Sequence, residues 1–268
     1  MAKHRISARL LKAIEARTLL LHVVSGDKLS AVLLALYNVE SYLRGATNQQ
    51  ARIQRAQRHL RRELEQMRHV SANPGAAAPW RGPVRKSRGG TLSSLFRDIH
   101  FYLICWNIVG RDLTLVRHIT GFPALRQALR PYVTVFQEYK KMRDHYEHFD
   151  ERLPGRARSN RLKRKNDLGN LAGNTLSFGG DQIDVGPKSL KRLRQGANDV
   201  LLALKVDALR IIAEQNPQAA KRILQTAQRD RMTKRLIRSM RLWDGRIGAA
   251  NTAAESTAKE EYDSTATR

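Results

Sequence analysis

Apolar residues recur every three or four positions over most of the chain, and this spacing predicts α-helices. The strongest stripe covers residues 91–116 and predicts a long core helix. Gly121 and Pro123 end it, and a second strong stripe then runs through Tyr139 toward Pro154, which predicts one further core helix. The pattern therefore predicts a mainly all-α protein built as a helical bundle.

The N-terminal segment, residues 1–70, is predicted to form a helical hairpin followed by a separate basic helix. Ser25-Gly26-Asp27 separates the two amphipathic helices of the hairpin. The basic helix, residues 51–68, has six arginines against two glutamates and few apolar residues. We expect it to lie at the surface with its basic side in solvent.

Two stretches break the helical pattern. Residues 71–90 are dense in proline, glycine and arginine, and they are predicted to form a mobile basic loop. Near residues 174–186, two short alternating runs flank Gly179 and Gly180, which predicts a β-hairpin because two glycines suit a tight turn. Residues 91–215 are thus interpreted as a helical core with one short β-hairpin insertion.

The C-terminal part changes character after Asn216 and Pro217, which are predicted to break the preceding helix. Residues 216–248 combine many basic side chains with apolar anchors and predict a basic amphipathic helical extension. Residues 249–268 show no periodicity and are predicted to be disordered.

The charge of the chain indicates what kind of partner it binds. The chain carries 49 Lys and Arg against 24 Asp and Glu, a formal net charge of +25. A protein so basic is expected to bind a polyanion, with RNA or another nucleic acid first and an anionic membrane surface as the alternative. Two basic clusters are the candidate nucleic-acid contacts: Arg156, Arg158, Arg161, Lys163, Arg164 and Lys165, and farther on Lys234, Arg235, Arg238 and Arg241.

The cysteine content and the length of the apolar runs exclude several other classes of protein. Cys105 is the only cysteine, which excludes an intrachain disulfide and a multi-cysteine zinc site. The longest apolar runs are too short to span a bilayer, and charged residues interrupt the N-terminal run that a signal peptide needs. We predict a cytoplasmic protein without membrane partner, metal or cofactor.

The stretch with the most chemistry begins at Arg143, at the end of the second core stripe. Glu147 lies one helical turn later, so a structural salt bridge is one reading of this arginine. Asp144 lies four residues before His148, where it could hydrogen-bond the imidazole, fix its tautomer and raise its basicity. The spacing alone leaves both readings open.

Arg143, Asp144 and His148 resemble the defining motif of the HEPN superfamily, in which four to six residues, the first of them polar, separate an arginine from a histidine. Members are helical bundles that commonly dimerise with their motifs facing across a composite cleft, and many are metal-independent endoribonucleases. The resemblance implies that His148 acts as general acid or base and that Arg143 stabilises the transition state, with Glu147 and His145 in support. The resemblance also implies that the protein forms a homodimer and that it acts as a toxin or a defence effector.

Three hypotheses therefore stand at this point. The first is a HEPN-like endoribonuclease that cleaves single-stranded RNA by attack of the ribose 2′-hydroxyl. The second is a non-catalytic helical module for RNA or DNA binding or for dimerisation. The third is a metal site, because His145 and His148 lie one turn apart with Glu147 and Asp150 nearby, although no further ligand cluster in the sequence supports it.

Overall fold

The computed structural model describes residues 14–72, 84–147, 170–178 and 180–229. The chain divides into two compact units, one formed by Met1–Val23 with Ala208–Arg268 and the other by Val24–Asp207. The candidate chemistry around Arg143 belongs to the second unit. The helices and strands, in chain order, are α1 Ala16–Val23, α2 Gly26–Ala72, α3 Val84–Thr120, α4 Pro123–Leu129, α5 Val133–Glu147, β1 Asn170–Ala172, β2 Thr175–Phe178, β3 Asp181–Asp184 and α6 Pro187–Gln215.

The predicted fold class is confirmed: the described residues are mainly helical, with one small antiparallel sheet. Among them, no helix is both long enough and apolar enough to cross a membrane.

α2 is a single helix of 47 residues, although the sequence suggested one helix of the hairpin followed by a separate basic helix. Its buried face explains the continuity, because Val32, Val39, Ala46 and Ile53 recur every seven residues and are almost fully buried. α2 packs along α3 over this seam. The apolar stripe is narrow and is masked in the sequence by arginines on the other sides of the helix, so one helix appeared to be two.

α3 is the central helix of its unit and packs on both α2 and α5. It begins at Val84, inside the stretch predicted to be a loop, while residues 73–83 lie outside the described part of the chain. Close approach to α5 depends on Gly110, since a Cβ there would lie 2.6 Å from the ring of Phe136. Trp106, fully buried, stacks on Tyr139 of α5 with 3.8 Å between ring centroids.

The second apolar stripe forms two helices, where the sequence predicted one. A 3-10 turn, Arg130–Tyr132, separates α4 from α5. Pro131 accounts for the break, because it cannot donate the backbone hydrogen bond that a continuous α-helix needs there. α4 has no side-chain cap of its own. Instead, Asp207 of α6 accepts hydrogen bonds from the backbone nitrogens of Ala124 and Leu125, at 2.7 and 3.2 Å.

The predicted β-hairpin is confirmed and forms part of a three-stranded antiparallel sheet with strand order β1-β2-β3. Gly180 has φ +83°, as a tight turn between β2 and β3 requires. The additional strand, β1, pairs Leu171 with Leu176 and escaped prediction because it has only three residues. β3 contacts α5, and the hydroxyl of Tyr139 donates to the carbonyl oxygen of Asp184. The sheet is thereby fixed to the helix that ends at Glu147.

In the first unit, α1 buries Leu19 and Leu20 completely. The predicted helix break at Asn216 and Pro217 is confirmed: α6 ends at Gln215, and residues 217–229 are helical again. Asn216 caps the new helix, since its side-chain oxygen accepts from the nitrogen of Ala219 at 3.0 Å. The predicted basic extension beyond this helix and the predicted disordered tail, residues 249–268, lie outside the described residues.

Candidate active site

Arg143 is held by two carboxylates of its own helix near the end of α5. Its Nε donates to Asp144 Oδ1 at 3.1 Å and lies 3.4 Å from Glu147 Oε2, and its Nη2 also contacts Asp144. The side chain is only 23% exposed, so the guanidinium is half-buried and oriented. Arg143 therefore makes the salt bridge to Glu147 that the helical spacing allowed, and a second pairing to Asp144.

His145 points away from Arg143 and into the interior. Its side chain is 2% exposed, and its Nε2 lies 2.9 Å from Oδ2 of Asp181 on β3. Lys141 also pairs with Asp181, 2.9 Å away, at the surface. The buried pair of His145 and Asp181 ties the last turn of α5 to the sheet.

His100 on α3 completes the cluster from the opposite side. Its ring stacks on Tyr146 with centroids 5.4 Å apart and planes 12° from parallel. Its Nε2 lies 3.8 Å from Oε1 of Glu147, the carboxylate that also faces Arg143. At the end of α5, the carboxylate of Glu147 thus lies between the imidazole of His100 and the guanidinium of Arg143.

Tyr146 fills the space between α3 and the sheet. Its ring lies 6.5 Å from that of Phe96 and 5.9 Å from that of Phe178. Burial raises the pKa of the Tyr146 phenol well above its ordinary value. The phenol is therefore neutral at physiological pH, and Tyr146 acts here as an aromatic packing residue.

Part of the predicted site lies beyond the described residues. His148 follows the last described residue of α5 directly, and both predicted basic clusters, Arg156–Lys165 and Lys234–Arg241, also fall outside. Asp144, predicted to orient His148, contacts Arg143. For the metal hypothesis, the described part of the chain contains no group of three or more His, Cys, Asp or Glu side chains placed to hold an ion, while His148 and Asp150 fall outside it.

A second basic region, with a different geometry, lies on α2. Arg55, Arg58 and Arg62 are exposed and line a surface depression of their own helix together with His59, Glu63 and Gln66. Arg52, one turn before, is paired with Asp98 of α3 at 3.1 Å. On the opposite side of α2, a groove of about 410 Å³ lies between α2, α3 and the turn after β1, with Leu64, Leu92 and Phe96 in its lining.

Sequence reasoning missed His100, Asp181 and Tyr146. His100 could have been singled out from the sequence, since it is a polar residue within the strongest apolar stripe of the chain. Asp181 had none, because its pairing with His145 joins residues 36 positions apart. Comparison with known proteins finds no matching family model, no matching curated protein and no matching solved structure.

Proposed function

We propose that this protein is a metal-independent endoribonuclease that cleaves single-stranded RNA, with Arg143 and His148 as its catalytic residues. One observation carries the proposal. Arg143 sits half-buried at the end of a core helix, and in the described residues its ion pairs use Nε and Nη2. This arrangement keeps the guanidinium oriented and leaves Nη1 available to a phosphate oxygen, on a residue that lies five positions before His148 in the chain.

The reaction is a transesterification followed by release of the 5′-hydroxyl product. His148 removes the proton from a ribose 2′-hydroxyl, and the 2′-oxygen forms a bond to the adjacent phosphorus. The bond from phosphorus to the 5′-oxygen breaks, and the leaving oxygen takes up a proton. Arg143 stabilises the negative charge that accumulates on the phosphoryl oxygens. The products are a 2′,3′-cyclic phosphate and a 5′-hydroxyl, and no metal ion takes part.

The same resemblance to HEPN proteins extends the proposal to assembly and setting. Two copies would place their α5 ends across one cleft, so that the substrate meets both motifs, with the basic clusters at Arg156–Lys165 and Lys234–Arg241 on its backbone. A cytoplasmic toxin or defence effector is the setting we propose. Equilibrium sedimentation of the purified protein tests the assembly, and a monomer at micromolar concentration would contradict it.

The experiment for catalysis uses the purified full chain and unstructured RNA labelled at its 5′ end, in EDTA. Wild type is expected to produce fragments that end in a cyclic phosphate. Arg143→Ala and His148→Ala are each expected to reduce the cleavage rate by about 10²- to 10³-fold. His22→Ala, on α1 of the other compact unit, is the matched control and should cleave at the wild-type rate. Wild-type rates in both motif variants would sink the proposal.

A non-catalytic RNA-binding module is the second candidate, and the exposed arginines of α2 favour it. In that case Arg143 only forms structural ion pairs with Asp144 and Glu147, and RNA binding depends on the exposed basic side chains. The two candidates separate cleanly, because the module predicts retention of RNA of intact length in EDTA as well as in magnesium. Products with cyclic phosphate ends exclude the module reading.

A further inference from the structure

The two ring nitrogens of His100 lie in different surroundings. Nε2 is buried and has no hydrogen-bond partner among the described residues. It faces Oε1 of Glu147 at 3.8 Å, which is an ion-pair distance and longer than a hydrogen bond. The side chain is 31% exposed, and because Nε2 is buried, Nδ1 is the ring nitrogen that solvent and substrate can reach.

Aromatic packing holds the ring of His100 in this direction. The ring stacks on Tyr146 with centroids 5.4 Å apart, and it also lies 6.1 Å from the ring of Phe101. Tyr146 is itself held, since its ring packs on Phe178 of β2. An imidazole stacked in this way keeps Nε2 toward Glu147 and Nδ1 toward the surface.

The carboxylate of Glu147 is shared between His100 and Arg143. Its Oε1 faces His100 Nε2, and its Oε2 lies 3.4 Å from Arg143 Nε. The imidazole and the guanidinium therefore lie against the two oxygens of one carboxylate, close enough together to act on one phosphodiester. A carboxylate beside one ring nitrogen, with the other nitrogen open to substrate, is also the arrangement that orients a histidine for proton transfer. Such contacts are often long without substrate and shorten when it binds.

Two neighbouring residues are less suited to give a proton to a substrate. His145 is 2% exposed, with its Nε2 on Asp181 and its Nδ1 buried. Burial raises the pKa of the Tyr146 phenol, so the phenol holds its proton. Of these three residues, only His100 combines an oriented ring with a nitrogen that a substrate can reach.

We infer that His100 is the general acid of the proposed reaction and donates the proton that the leaving 5′-oxygen takes up. This inference rests on the proposed function, whose base, His148, removes the proton of the 2′-hydroxyl. As the 2′-oxygen bonds to phosphorus and the bond to the 5′-oxygen breaks, the proton on His100 Nδ1 moves to that oxygen. The ring keeps its other proton on Nε2, toward Glu147. Solvent then returns a proton to His100 and takes one from His148, so the protons balance.

The test replaces the leaving oxygen by sulfur. The substrate is an oligouridine with one cleavable linkage, all its other 2′-hydroxyls being replaced by fluorine, and it is made with either oxygen or sulfur as the leaving atom. A sulfur atom leaves as a thiolate and needs no general acid, because a thiol ionises at about pH 8.5 and an alcohol far above neutrality. Single-turnover cleavage of both substrates is measured with the purified full chain in EDTA.

Two variants remove the proton donor and keep different contacts. His100→Gln retains an N–H group toward Glu147, and His100→Phe retains a ring against Tyr146. Both are expected to cleave the oxygen substrate about 10²-fold more slowly than wild type and the sulfur substrate within about threefold of the wild-type rate. His148→Ala is expected to be slow on both substrates, since it lacks the base.

The matched control is His118→Ala, because His118 is an exposed histidine near the other end of α3. This variant should cleave both substrates at the wild-type rate. A loss as large as that of the His100 variants would show that the effect is not specific to the end of α5.

Two further results would overturn the inference. A wild-type rate on the oxygen substrate in His100→Gln or in His100→Phe shows that no proton from His100 is needed. An equal loss on both substrates shows that His100 holds Glu147 and Arg143 in place and gives up no proton.

The outcomes also separate this inference from the proposed function. If Arg143→Ala and His148→Ala lose cleavage of the oxygen substrate while both His100 variants keep it, the endoribonuclease stands and the general acid lies elsewhere. If the His100 variants are slow only on the oxygen substrate while His148→Ala cleaves at the wild-type rate, His100 stands as the acid and the assignment of His148 fails. A wild-type protein that cleaves neither substrate overturns both.

Discussion

The end of α5 and the arginine-rich half of α2 are both strongly charged, yet they hold their charges in opposite ways. At the end of α5, Arg143 pairs with Asp144 and Glu147, and His145 pairs with Asp181. On α2, Arg55, Arg58 and Arg62 have no carboxylate partner within the described residues. Paired, half-buried charges are fixed in direction, whereas exposed, unpaired charges attract polyanions without fixing their geometry.

The difference matters because catalysis and affinity place different demands on an arginine. Stabilising a transition state requires a guanidinium held at a defined position, and neighbouring carboxylates provide that constraint. Binding a flexible strand requires positive potential over several phosphates, and pairing would cancel it. In this chain the paired arginine lies on α5 and the unpaired arginines lie on α2, so a substitution on one helix tests one demand and leaves the other set of charges in place.

The largest expected effect comes from the packing that supports the end of α5. Trp106→Ala removes a fully buried ring that stacks on Tyr139, and it should lower the free energy of unfolding by ~3–5 kcal/mol. Urea unfolding followed by circular dichroism measures this change. The control is Leu115→Ala on the same helix, where the side chain is 42% exposed, and its effect should stay within ~1 kcal/mol. Similar losses in both would mean that α3 is not the core of its unit.

Alkaline pH should weaken the same core. Burial raises the pKa of Tyr102 to about 12, and burial also raises the pKa of Tyr139. A tyrosine that keeps its proton longer in the folded state adds stability that is complete below its unfolded pKa near 10 and is lost as pH rises toward 12. For Tyr102 the loss amounts to ~3 kcal/mol, while the arginines of α2 remain charged.

Urea unfolding at a series of alkaline pH values checks the direction and the window. Tyr102→Phe should flatten the fall in stability between about pH 10 and pH 12. Tyr37→Phe changes an exposed residue and should leave the fall unchanged. A Tyr102→Phe protein with the full wild-type slope would contradict the assignment.

A smaller loss is expected when the pairing at the end of α5 is broken. Asp181→Asn removes the carboxylate that faces His145 Nε2 at 2.9 Å, and it should cost ~1–3 kcal/mol because His145 is buried. Lys141→Met removes only the exposed partner of Asp181 and should cost less than ~1 kcal/mol. Thermal unfolding of the two variants side by side gives the comparison, and equal losses would show that the buried pair adds nothing.

The smallest effect is predicted for α2. Arg58→Gln/Arg62→Gln should change the free energy of unfolding by less than ~0.5 kcal/mol, since neither arginine is paired in the described structure and glutamine is a good helix former. Arg143→Gln is the matched substitution at the other region, and it should destabilise more because it removes the guanidinium that contacts both Asp144 and Glu147. If both cost the same, the contrast between the two regions fails.

Local pattern was sufficient for much of the fold. The apolar stripe of residues 91–116, the helix stop at Gly121, the turn at Gly180 and the break at Asn216 all follow from side-chain spacing and from the backbone preferences of glycine and proline. The break between α4 and α5 could also have been predicted, since Pro131 disrupts a continuous helix. The continuity of α2 could not be predicted, because the buried positions that recur every seven residues, Val32, Val39, Ala46 and Ile53, form too narrow a stripe until α3 is known to cover them.

By itself, the sequence determined a basic, mainly helical protein with an arginine and a histidine closely spaced after the second core stripe, because charge, helical periodicity and motif spacing are local properties of a chain. Only the tertiary structure decided what the end of α5 contacts outside its own helix. The pairing of His145 with Asp181 and the stacking of His100 on Tyr146 both join residues far apart in the chain. Such contacts depend on how helices pack, and no local pattern encodes them.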